Sequence, residues 1–118
     1  MITKNEVYTY MSDHLDAYCT QFYEVIPKSL PCVYFRETHA PVRKNITLAL
    51  DDQQLRMVIF LEVSGLNIDG LIEDIETVFR EMGFVEELCQ MDQNFSASEE
   101  RWNMRFSRIV CGDEPLTR

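Results

Sequence analysis

A chain of 118 residues, 46% of them hydrophobic, can bury one core but is too short for two, so a single domain over 1–111 with a flexible tail at 112–118 is expected. The formal charge of −9 is unevenly spread: Asp51 to Glu100 holds thirteen acids against Arg56 and Arg80 alone, which argues against a continuous basic face for duplex DNA. No run of about eighteen apolar residues occurs and the N-terminus lacks the basic-then-apolar order of a secretory signal, so no membrane partner is expected, and the chain should stay in the compartment where it is made.

Thr3-Lys4-Asn5-Glu6 reads as a capping box, and Val7, Met11, Leu15, Tyr18 and Phe22 follow at helical spacing, predicting a first helix that ends near Cys19 to Tyr23. His14, between Asp13 and Asp16, has no second ligand at i+4 and reads as a surface residue. Pro27 and Pro31 frame a linker, and Cys32 to Arg36 is rich in strand formers. Thr38 to Lys44 reads as an exposed connection. Its His39, Arg43 and Lys44 could bind an anion, with a solvated loop as the plainer reading.

Asn45 to Leu50 and Leu55 to Ser64 are two apolar, β-branched stretches around a polar turn, which predicts a hairpin. Met57, Ile59, Leu61 and Val63 alternate with Val58, Phe60, Glu62 and Ser64, so apolar groups occupy both faces. One face should meet a helix. Phe60, with Val58, is then a candidate contact with another subunit, ordinary core being the alternative.

Asn67 to Phe84 predicts a long amphipathic helix with Leu71, Ile75, Val78, Phe79 and Met82 on its apolar stripe, Asn67 as N-cap and Gly83 as the left-handed stop. Phe84 to Met91 should return as a strand. Arg101 to Val110 closes the sheet, with Trp102, Met104, Phe106 and Val110 on one face and Arg101, Asn103 and Arg105 on the other. The expected fold is α+β: a mostly antiparallel sheet with an N-terminal helix and one long amphipathic helix packed on it.

Reactive constellations are missing from the sequence. There is no Gly-rich phosphate loop, HExxH or GxSxG, so no catalytic residue, cofactor site or metal site is expected. Cys19, Cys32, Cys89 and Cys111 form no CxxC pair and read as small buried apolar groups. Glu73, Asp74 and Glu76 read as the solvated side of a helix.

From Leu30 to Val110, the order of elements resembles the tail terminator proteins, the neck or tail-to-head joining proteins of long-tailed bacteriophages and prophages. Pro31-Cys32-Val33, the β-rich Met57 to Val63, Met82-Gly83-Phe84, and Arg101 with Arg105-Phe106-Ser107-Arg108-Ile109-Val110 carry the resemblance. It implies a structural virion protein, made in the host bacterial cytoplasm and placed in the neck. Such proteins form a homo-oligomeric ring, usually a hexamer, that caps the tail tube protein and meets the head connector or head-completion protein. DNA passes through the lumen without specific binding, and lumenal carboxylates would repel it. Arg43, Lys44, Arg101 and Arg105 would then bind the acidic flank of the next subunit. Two other readings stay open: an acidic DNA mimic or inhibitor that binds a basic partner, and a small-molecule or enzymatic domain using a groove between helix and sheet.

Overall fold

A computed structural model of the protein describes residues 5–24, 27–41, 54–92 and 99–111. The elements run α1 (Glu6–His14), β1 (Tyr18–Thr20), β2 (Cys32–Pro41), β3 (Gln54–Gly65), α2 (Asp69–Glu81), β4 (Val85–Met91) and β5 (Glu100–Cys111). All five strands join one sheet in the order β1-β2-β3-β5-β4, with β1 parallel to β2 and the other pairs antiparallel. The expected architecture is corrected accordingly. The sheet is mixed, strand outweighs helix, and the two helices are short, at 9 and 13 residues.

The first helix stops early. Leu15 turns to an extended conformation after His14, and Tyr18–Thr20 instead forms β1, bonded in parallel to Cys32, Val33 and Tyr34. Tyr18 and Phe22 fit a helical period in sequence only, because pairing with an open strand edge outcompetes helix continuation there. Thr3 lies outside the described residues. Asn5 stands at the N-cap in the left-handed region without a side-chain cap bond.

β2 runs on to Pro41, so Thr38 to Pro41 is strand rather than connection. β1 covers only Cys32 to Tyr34 of its outer edge, so Pro41 lies where no ladder bond to β1 is required. Residues 42–53 lie outside the described residues and with them the first arm of the expected hairpin; Leu55 to Ser64 of β3 pairs with β2 on one side and β5 on the other.

α2 begins at Asp69, one residue later than an Asn67 cap would give, because Asn67 adopts a left-handed φ of 52° and Ile68 takes the N-cap without a side-chain bond. Its C-terminus is closed by a Schellman arrangement: the Gly83 amide donates to Arg80 O and the Phe84 amide to Phe79 O. Gly83, at φ 81°, supplies the left-handed residue this needs. The Phe84 ring meets Phe79 edge-on, the apolar contact that accompanies such a stop. Arg108, buried on β5, reaches under the turn, and its guanidinium donates to the Met82 carbonyl.

Both helices lie on one face of the sheet. Val7, Met11, Ile72, Ile75, Val78 and Phe79 pack there against alternate strand residues, including Val33, Phe35, Ile59, Leu61, Met104 and Phe106. Phe79 stacks on Phe106 with centroids 4.4 Å apart. Leu71, expected on the core stripe, is only partly buried, and Ile72 takes its place. Among the described residues no helix is long and apolar enough to cross a membrane.

Candidate interaction face

The two-residue period of a strand sends the other half of β2, β3 and β5 to the opposite face, over which no described helix lies. Residues paired across strands share a face, so this open face reads in rows: Thr38, Val58, Ser107 and Val85; then Arg36, Phe60, Arg105 and Leu88; then Tyr34, Glu62, Asn103 and Gln90. Val58 and Cys32 are 7% and 5% exposed, yet neither belongs to the helix-side core cluster.

Cross-strand charge pairs order this face. Arg101 Nε lies 2.9 Å from Glu62 Oε1. Glu87 forms a hub: Arg56 and, at 2.8 Å, the Ser107 hydroxyl both donate to Oε2, while Arg105 Nε stands 3.1 Å from Oε1. The Ser107 hydrogen bond and the two guanidinium groups hold the Glu87 carboxyl below its ordinary range. Glu87 reaches this position through an irregularity in the β4–β5 register between Glu86 and Leu88, which adds one residue to β4. Arg36 lies over the Phe60 ring, 4.6 Å from its centroid, a cation–π contact on the same face.

The structure therefore brings together Phe60, Arg101 and Arg105 on one face. The two arginines pair with glutamates of their own chain, on β3 and β4 respectively. Arg43 and Lys44 lie outside the described residues. The sequence reading missed Arg36, Glu62 and Glu87 as members of this array. Alternation marked the face of the first two, whereas the bulge that turns Glu87 outward leaves no sequence signal.

At one end of the open face is a pocket of about 230 Å³, lined among others by Tyr23, Glu24, Tyr34, Glu62, Glu99 and Arg101. Cys32 lies at its base. Burial pushes that thiol's pKa up, and the carboxylates of Glu24, Glu62 and Glu99 push it further. Burial likewise raises Cys19, to about 11, and Cys89, so each described thiol whose titration is perturbed is biased away from the nucleophilic thiolate.

On the helix side, Glu76, Glu86 and Cys89 bring their ligand atoms within 4.8 Å of one another. Glu86 hydrogen-bonds to Glu76, which with some desolvation raises the Glu86 pKa to about 7. The trio is the described group that could in principle ligate a metal ion. His14 stacks on Tyr10 and bonds the Tyr10 carbonyl through Nδ1 at 2.8 Å, while His39 Nε2 pairs with Glu37 at 2.6 Å. Both histidines thus have local structural partners.

No family model matches this chain, and no curated protein matches it.

Proposed function

We propose that the protein is a structural subunit that assembles with copies of itself through the open sheet face, in a ring that ends the tail tube of a long-tailed phage or prophage and joins it to the head connector. The observation that carries this reading is the open face itself. It holds Phe60 and the exposed Val85, Leu88 and Ile109 beside cross-strand ion pairs, so a partner that covers this part of the face meets arginines already paired with glutamates. β3 and β5 are 12 residues each and pair along their length, which makes the face long enough to act as a stave. The resemblance of Leu30 to Val110 to tail terminators supplies the neck assignment.

A second copy is the favoured occupant because the face carries both signs of charge in alternation, rather than a field of one sign, and can meet a different flank of the next copy in the head-to-tail contact that a ring requires. Further acids lie away from the open face: Glu73, Asp74 and Glu81 are exposed on α2. In a ring, that flank would serve as the surface that repels passing DNA. The same flank supports the alternative of an acidic mimic that binds a basic protein. Native mass spectrometry with negative-stain imaging over a wide concentration range separates the two. Closed rings support the neck reading, and a monomer that binds a basic protein one-to-one supports the mimic.

A further inference from the structure

We propose that the pocket at the β1 end of the open face receives an arginine side chain presented by a protein partner. The inference does not rest on ring formation, since any polypeptide with a suitably exposed arginine could fill the site.

Three properties of the pocket point to this ligand. The first is charge. Glu24, Glu62 and Glu99 line it, and Arg101 is the lining cation among the described residues. Arg101 pairs with Glu62. Glu24 accepts a hydrogen bond from the neutral Tyr18 hydroxyl. The site is left with an excess of two negative charges, in a recess whose base, Cys32 and Ser64, is buried. All three carboxylates act on the Cys32 thiol, so their fields converge at that base.

The second property is spacing. Glu24, Glu62 and Glu99 do not form a group of ligand atoms within 4.8 Å, the separation that the described Glu76, Glu86 and Cys89 satisfy. A metal ion would therefore bridge them poorly. A guanidinium, with five N–H donors spread over a planar fork, can reach carboxylates that stand apart, whereas a lysine ammonium is a point charge. The third property is the wall. Tyr23 and Tyr34 meet edge to face with centroids 5.6 Å apart and offer a ring surface to a guanidinium plane, while Pro27 and Leu30 offer apolar contact to its methylene stem. At about 230 Å³ the recess is smaller than the roughly 300–1,000 Å³ of drug-sized sites, and it suits a side chain.

The test is an NMR titration of the full chain with N-acetyl-arginine amide, with N-acetyl-citrulline amide as the neutral, nearly isosteric control. The arginine probe should give saturable shifts centred on Tyr23, Tyr34 and Glu62, and citrulline should bind at least about tenfold more weakly, as loss of a charge-assisted pair implies. A Glu24→Gln/Glu99→Gln variant, which keeps an acceptor for Tyr18, should lose about tenfold in affinity, while Glu73→Gln/Glu81→Gln on α2 should leave it unchanged. Equal binding of the citrulline probe overturns the proposal. So do shifts spread along α2, or unaltered affinity in the Glu24/Glu99 variant. The citrulline comparison needs no mutant, so it decides the matter even if the variants fold poorly.

Discussion

The two faces of the sheet are made from the same strands by alternate residues, and they are held together by different physics. On the helix side Ile59, Phe106 and Phe79 are fully buried and interlock, so stability there comes from area removed from water and close packing. On the open side Phe60, Arg105 and Glu87 keep partial contact with solvent, and order comes from charges paired across strands. The difference predicts that the partly exposed side chains of the open face contribute less to folding than those of the helix face. Mutations on the two faces should therefore separate stability from assembly.

The largest separation is expected between two phenylalanines. Phe79→Ala should cost about 3–5 kcal/mol in urea unfolding, because it leaves a cavity beside Phe84 and Phe106. Phe60→Ala should cost no more than about 1.5 kcal/mol, the loss of a partly exposed ring and its cation–π contact with Arg36. Similar costs at the two sites would show that the faces share the work of folding.

Two arginines of β5 sharpen the contrast. Arg108→Met leaves the Met82 carbonyl at the α2 stop without its buried donor and should cost about 1–3 kcal/mol. Arg105→Met removes a half-exposed partner of Glu87 and should cost less than about 1 kcal/mol in the same denaturation experiment.

The smallest effects are those of pH, and neighbouring residues on opposite faces should give them opposite signs. Glu87 has a lowered pKa, so its contribution is present above the ordinary carboxylate range and is lost as pH falls through the lowered value. Glu86 is raised to about 7 by its hydrogen bond to Glu76, so its contribution is present at low pH and is lost as pH rises toward 7. Both groups are solvated, so each effect should stay below about 1 kcal/mol. Unfolding midpoints of Glu86→Gln and Glu87→Gln, followed from about pH 3 to about pH 8, should flatten opposite limbs of the wild-type curve.

Much of the helix-side core could be read from the sequence because its signals are local. The alternation in β5 placed Met104 and Phe106 inward and Arg101 and Arg105 outward, and Gly83 marked the helix stop. The mixed sheet could not be read in this way. Its parallel strand is three residues long, and Tyr18 and Phe22 continue the helical spacing of α1 by coincidence. The helix is shorter than the stretch Asn67 to Phe84 because Asn67 takes a left-handed conformation that Asn tolerates, which delays the start, and Met82, Gly83 and Phe84 form its C-terminal closure. At the candidate face, Phe60, Arg101 and Arg105 followed from alternation. The Glu62 and Glu87 partners did not, since register and a bulge decide which charges meet.

The central claim, that the open face is where copies meet, is tested most directly by native mass spectrometry of the wild type beside Phe60→Glu. The account predicts closed rings for the wild type, and monomers for a variant whose unfolding midpoint is nearly unchanged. A wild type that stays monomeric at every concentration, or a Phe60→Glu variant that assembles as well as the wild type, would contradict it.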